Sequence, residues 1–247
     1  MERYTGRVAL VTGASSGIGA AIAQALVRKG LKVVGLARRV DKVKALELKD
    51  APGKLYALQG DVSSEESILS AFKWIEDNLG GVDILVNNAG VIGELPLTSA
   101  KTADWKRILD VDVLGLSICT REAFQSMLKR GVDDGFIIHI NSVLGHIPPG
   151  SSDIAMYGAA KHAVTALLEG LRKDLVARKS KIRCGQISPG YVRTEIHDFL
   201  PKYTPEVREK TPWMESEDIA EAVVYMLSQH PRVQVHDIII RSVGSDL

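Results

Sequence analysis

A chain of 247 residues, 45% hydrophobic and 25% charged, has ordinary globular composition. It is long enough for one large α/β domain or two small ones, and intrinsic disorder is excluded as its main state. Lys and Arg total 31 against 30 Asp and Glu, and the formal charge of +1 gives no electrostatic case for binding nucleic acid or a membrane surface. The two cysteines, Cys119 and Cys184, cannot form a disulfide scaffold and read as small apolar side chains of a reducing compartment. No apolar run approaches the ~20 residues of a membrane span, and the N-terminus has no signal-peptide pattern, so the expectation is a soluble cytoplasmic protein.

Short apolar runs alternate with longer helical patterns from end to end. Residues 7–11 read as a strand, followed by a helix with Ile18, Ile22 and Leu26 on one face and Gly30 as its stop. Residues 31–37 read as a strand, 41–50 as a helix ended by Pro52-Gly53, and 54–59 as a third strand. A helix over 65–79 closes at Gly80-Gly81, and a fourth strand covers 83–86. Two helices, 102–112 and 115–129, precede a strand at 136–140. A long helix over 155–177 leads to a strand at 182–187; the region 190–213 has no clean period; then come a helix at 215–227 and a strand at 235–240. This rhythm predicts a single α/β domain spanning 1–247: a doubly wound, Rossmann-like, seven-stranded parallel sheet with helices on both faces.

The first strand runs into Thr12-Gly13-Ala14-Ser15-Ser16-Gly17-Ile18-Gly19 and then a helix. Glycines in such a turn let the chain reverse, let backbone approach a pyrophosphate and let the helix pack on the strand. The helix start offers free N–H groups to phosphate. The end of the second strand reads Leu36-Ala37-Arg38-Arg39-Val40, with no acid for a ribose 2′-hydroxyl. Arg38 and Arg39 would either solvate a loop or grip the 2′-phosphate of NADP, and their place at the strand end favours NADP.

Tyr157 and Lys161 lie four residues apart, on one face of the long helix. A phenol titrates near ~10 and is a poor base at neutral pH; a nearby ammonium lowers that value. Ser142 follows the strand at 136–140, where it is either a turn-capping residue or a donor to a substrate oxygen. The six histidines show no metal-ligand spacing and no metal is expected; His146 reads as a loop residue or a substrate contact.

The motif T-G-x-x-x-G-x-G at 12–19 is one of a set that runs the length of the chain. With it go Asn87-Asn88-Ala89-Gly90, Ser142, Tyr157-x-x-x-Lys161 and Ser188-Pro189-Gly190, and together they resemble the short-chain dehydrogenase/reductase family. The resemblance implies an oxidoreductase in which Tyr157 is the acid/base, Lys161 lowers its pKa and holds ribose, and Ser142 orients the substrate oxygen. It implies a cofactor site built from Gly13, Ser15, Ser16, Gly17, Ile18, Gly19, Arg38, Arg39, Asp61, Val62, Asn88, Ala89, Gly90 and Val111. Tyr157, Lys161, Pro189, Gly190, Val192 and Thr194 complete it.

The chain departs from the family pattern at Asp112, where an Asn is expected. An ionised carboxylate accepts hydrogen bonds but donates none, so Asp112 would pair with Lys161, raise its pKa or alter a proton relay. A nucleotide sensor with little turnover is the rival reading that Asp112 favours.

The region 191–213 reads as a substrate lid, or as a loop over its own small core. Its His197, Phe199, Leu200, Tyr203 and Trp213 favour an apolar alcohol or carbonyl compound, with Ser142, Leu144, Tyr157, Phe199 and Tyr203 as substrate residues. Segments 115–127, 132–135, 139–146 and 163–172 resemble a subgroup whose members oxidise farnesol with NADP in insects, or act on steroids and other carbonyls in mammals. Small and apolar residues around most of the long helix imply burial on more than one face, within a thick core of the chain itself or against a second subunit, and the family resemblance implies a homodimer or homotetramer.

Overall fold

The computed structural model describes residues 1–246. Seven strands form one parallel sheet in the order β3-β2-β1-β4-β5-β6-β7. They are β1 (Val8–Thr12), β2 (Lys32–Ala37), β3 (Lys54–Gln59), β4 (Ile84–Asn87), β5 (Phe136–Ile140), β6 (Arg183–Pro189) and β7 (Asp237–Ile240). The order follows from the connections: the chain winds outward from β1 to β3, then restarts at β4 on the other side of β1. A parallel sheet that reverses direction in this way leaves a crevice at the carboxyl ends of the strands flanking the switch. Here those strands are β1 and β4.

Eight helices connect the strands: α1 (Gly17–Arg28), α2 (Val40–Lys44), α3 (Glu65–Leu79), α4 (Thr102–Leu109), α5 (Leu116–Lys129), α6 (Ala155–Ala177), α7 (Pro205–Lys210) and α8 (Ser216–Ser228). The central strands β1, β4 and β5 are buried at every position, as expected where helices cover both faces. On one face Ile22, Leu26, Ile84, Ile138, Val223 and Leu227 form a core under α1 and α8. On the other Leu10, Ile75, Leu85, Phe124, Ile137 and Leu168 form a second core under α3, α5 and α6. Local chemistry sets the helix ends. Ser64 caps α3 by accepting the Ser67 N–H at 3.3 Å, and Gly80, at φ 86°, lets the chain leave it.

Three expectations change. The helix expected over 41–50 shrinks to five residues, because Val43 is its one fully buried side chain and nothing holds a longer helix against the sheet. The two helices expected at 102–112 and 115–129 are joined by a π-helix over Asp110–Gly115. The region 190–213, aperiodic as a whole, holds a 3-10 helix, Glu195–Phe199, and α7. Thr204-Pro205 starts α7 as cap and first helical residue, a signature too short to register in the hydrophobic period.

Candidate active site

The crevice between β1 and β4 is closed by a small set of contacts at the glycine turn. Gly13 and Gly17 have φ of 68° and 55°, left-handed values that favour glycine. A Cβ on Gly13 would lie 2.8 Å from the Ala89 Cα; one on Gly19 would collide with the Asn88 Nδ2 and the Gly13 carbonyl. Asn88 returns the contact, donating through Nδ2 to the Thr12 carbonyl at 2.8 Å. The Thr12 hydroxyl accepts the N–H groups of Asn88 and Ala89, both at 3.0 Å. Thr12, not counted among the site residues from sequence, is therefore the clamp between the two turns.

The other cofactor-site residues divide. Ser15 and Ser16 hydroxyls accept hydrogen bonds from Arg39 at 3.2 and 2.9 Å. Arg38 is exposed and has no ion pair or hydrogen bond among the described residues. The Asp61 Oδ1 accepts from the Ser63 N–H and hydroxyl at 2.9 and 2.8 Å, which ties it into the turn before α3. Val62, Ala89 and Val111 border a small pocket beside Asn87, and Gly90 lies against Asp112 and Lys161. Ile18 packs against the α1 core, while Pro189 ends β6 and the Gly190 N–H is bonded to Ile240. Thr194 lies against Gly17: a Cβ there would come 2.9 Å from the Thr194 Cγ2. The Val192 side chain is buried in the α1/α8 core and its backbone bridges Met214, so only its backbone faces the space where a cofactor is expected to lie.

Tyr157 and Lys161 project from α6 into a third cluster, above the sheet, and are buried. The Ser142 hydroxyl accepts the Leu144 N–H at 3.1 Å and lies near enough to the Tyr157 phenol to act on its titration. Lys161 Nζ lies 5.4 Å from the centre of the Tyr157 ring, donates to the Ile140 carbonyl at 3.4 Å and faces the Asp112 Oδ2 at 3.4 Å. The Asp112 Oδ1 accepts the Val91 N–H at 2.8 Å. Asp112 reaches this place because the π-turn adds a residue to the helix; Gly115, at its end, has no room for a Cβ against the Val62 carbonyl.

Burial sets the charges in this cluster. It pushes the Tyr157 phenol above its ordinary pKa; Lys161 and the nearby Ser142 hydroxyl pull the other way, and Asp112 pushes it further up. The lowering expected from Lys161 is present but outweighed. Burial also works against the Lys161 charge, yet the Tyr157 oxygen and the Asp112 carboxylate beside it hold its pKa above the ordinary lysine range. Asp112 itself is raised by burial, with Lys161 and the Val91 N–H opposing.

The apolar wall around the phenol comes from Ile92, Ile108, Leu144, Ile154 and Leu200, with Tyr203 packed against them. Leu144 and Tyr203 lie in or against this wall. Phe199 does not: its side chain is 64% exposed, and the next residue, Leu200, takes the buried place. Tyr203 also belongs to an aromatic group with His197, Tyr191 and Trp213, the His197 and Trp213 rings 4.7 Å apart. His146 turns away from the wall, its Nε2 2.9 Å from the Ser188 Oγ and 3.1 Å from the Asp237 Oδ2, and straps the Ser142 loop to β6 and β7.

His139 lies on β5 in the core, and neither ring nitrogen has a hydrogen-bond partner among the described residues. Burial, with the Lys161 charge second, pushes its pKa down to about 3. The unfolded chain binds that proton near pH ~6.5, so the His139 contribution to stability is complete above that pH and is lost as pH falls toward 3. Unfolding free energies measured across this window should fall by on the order of 4 kcal/mol from this residue, and His139→Asn should flatten the slope.

Comparison with known proteins places this geometry. The short chain dehydrogenase profile matches residues 7–203. Dehydrogenase/reductase SDR family member 11 of Gallus gallus is 51% identical, covering 98% of both chains. Farnesol dehydrogenase of Aedes aegypti is 49% identical, covering 99% of both. Among solved structures, an alcohol dehydrogenase from Thermococcus sibiricus complexed with 5-hydroxy-NADP is 27% identical and superposes with a TM-score of 0.83 over 97% of each chain. A metagenomic short-chain oxidoreductase in complex with NADP is 29% identical, with a TM-score of 0.81 over 98% of this chain and 99% of its own.

Proposed function

The chain belongs to the short-chain dehydrogenase family, an oxidoreductase family that binds a nicotinamide cofactor, and from that premise we propose that it interconverts an apolar alcohol and its carbonyl with NADP(H), farnesol being the favoured alcohol. The observation that carries this reading is the joining of a buried Ser142–Tyr157–Lys161 group to a wall of Leu144, Ile92, Ile154 and Leu200. A charged or sugar-like substrate would lose its hydration against that wall without recovering hydrogen bonds, whereas an isoprenoid chain loses none.

The residues present fit the cofactor. The left-handed Gly13 and Gly17 and the crowded Gly19 make a cradle that a Cβ would fill, and the unpaired Arg38 is free to meet a 2′-phosphate. When bound, the dinucleotide supplies the hydride donor or acceptor. In oxidation the Tyr157 oxygen takes the alcohol proton; in reduction it returns a proton to the developing alkoxide. Lys161 stabilises the phenolate and, on the family pattern, holds ribose hydroxyls. Ser142 donates to the substrate oxygen. The region 191–213 acts as the lid, with Leu200 and Tyr203 as its inward residues. The exposed Leu114, Leu128 and Leu167 on the α5–α6 side support a homo-oligomer. The free, buried Cys119 and Cys184 suit a cytoplasmic setting, and no described helix is long and apolar enough to cross a membrane.

The test is the appearance of reduced nicotinamide absorbance with farnesol, a steroid alcohol and a short alcohol, each with NADP⁺ and NAD⁺. The expected result is NADP-linked oxidation strongest on farnesol. Preference for NAD⁺ would sink the reading of Arg38 and Arg39, and equal kcat/KM for the short alcohol would sink the apolar substrate.

A further inference from the structure

The second strand ends without an acid, but the fold brings one to the same place from the lid. Glu195, the first residue of the 3-10 helix after Thr194, sets Oε2 2.8 Å from an Arg39 Nη2 and Oε1 2.9 Å from the Lys42 Nζ. The same Arg39 nitrogen reaches the Ser15 and Ser16 hydroxyls of the glycine turn. One carboxylate therefore joins the phosphate turn, the end of β2 and the base of the lid, which sequence spacing of 156 residues between Arg39 and Glu195 could not reveal.

We propose that Glu195 is a specificity-determining residue for the cofactor: its carboxylate competes with the 2′-phosphate of NADP for Arg39, and so ties the choice of cofactor to the position of the lid. The inference rests on Arg39 as a reader of that phosphate. A guanidinium offers five N–H donors, but Glu195 takes Nη2, the nitrogen that also faces the Ser15 and Ser16 hydroxyls of the glycine turn, and a second anion brought to that nitrogen repels the carboxylate. A 2′-phosphate that engages Arg39 must therefore loosen Glu195. NAD, which carries a hydroxyl there, imposes no such exchange. The carboxylate stays charged throughout the working range, since hydrogen bonds from Lys42 and Arg39 hold its pKa at about 2. Arg38, exposed and unpaired among the described residues, receives the phosphate while the exchange occurs.

The lid cannot ignore the exchange. Thr194 touches Gly17, Glu195 opens the lid helix, and five residues on Leu200 is buried in the wall around Tyr157. A shift of Glu195 away from Arg39 moves the segment that places Leu200. Both partners are half exposed, so the pair is worth little in stability and the effect on binding is modest, about two- to fivefold.

The experiment is calorimetric titration of the full chain with NADP⁺ and with NAD⁺, in wild type, Glu195→Gln, Arg39→Gln and the double variant. Glu195→Gln is expected to tighten NADP⁺ about two- to fivefold, to leave NAD⁺ unchanged, and to give no gain when Arg39 is already Gln. Hydrogen exchange over 195–203 should differ between NADP⁺ and NAD⁺ in wild type and converge in Glu195→Gln. Unchanged or weaker NADP⁺ binding in Glu195→Gln, or equal tightening of both cofactors, overturns the proposal. If Arg39→Gln leaves NADP⁺ affinity intact, the underlying reading of Arg39 is what failed. If affinities behave as expected but exchange in the lid does not, competition stands and the link to the lid is overturned.

Discussion

Replacing Tyr157 with Phe is expected to lower kcat by about 10²- to 10⁴-fold in both directions while leaving the fold and cofactor affinity in place, measured by steady-state turnover beside a cofactor titration. The reason lies in what the hydroxyl does and the ring does not. The ring packs among Ile108, Val143 and Leu144, and the Lys161 ammonium stands 5.4 Å from its centre; Phe keeps all of this. The hydroxyl lies beside Ser142 and, in the proposed mechanism, is the group that passes the proton at the head of the apolar wall. The direction of its pKa adds a second signature. Because burial holds the phenol above its ordinary value, it stays protonated through neutral pH. Carbonyl reduction, which needs that proton, should be steady there, and alcohol oxidation, which needs the phenolate, should climb into the alkaline range. More than a tenth of wild-type turnover in the Phe variant would mean that another group carries the proton.

The parts of this site that were legible in the sequence are those built from neighbours in the chain. The glycine turn, Asn88-Ala89-Gly90 and the Tyr157–Lys161 pair each need only a few consecutive residues and a known element beneath them, and the structure brings them together at the β1/β4 crevice. The inner strands β1, β4, β5 and β6 were legible because their side chains are buried on both faces and read as apolar runs, and the half-buried edge strands β3 and β7 were legible as short β-rich segments between helical patterns. What escaped depends on long-range contact. Phe199 and Leu200 are both apolar, and only the 3-10 turn before them decides which one faces inward. Glu195 meets Arg39 because the lid folds back over the glycine turn. The side-chain burial of Val192, beside its bridge to Met214, likewise depends on a contact distant in sequence. The π-turn has no propensity signature; its surroundings accommodate it, with Asp112 held by the Val91 N–H and Lys161 and Gly115 leaving no room for a Cβ against the Val62 carbonyl.

Asp112 is the residue for which removal of charge and removal of the side chain should separate. Asp112→Ala takes away the acceptor of the Val91 N–H and leaves the buried Lys161 ammonium without its carboxylate. Breaking a buried pair from one side costs about 3–5 kcal/mol, so this variant should unfold at markedly lower denaturant. Asp112→Asn keeps an oxygen for Val91 and should cost less, but it removes the negative charge. That charge raises the pKa of both Tyr157 and Lys161. Without it the phenolate forms more readily, and the rising limb of alcohol oxidation should move to lower pH. The two readouts are independent, one from denaturant unfolding and one from a pH–rate profile. An Asn variant whose profile stays in place or moves to higher pH would mean that Asp112 acts on the helix geometry alone. An acid shift would show that the carboxylate acts directly on the proton carrier, against the opposing charge of Lys161, and holds the phenol protonated through neutral pH.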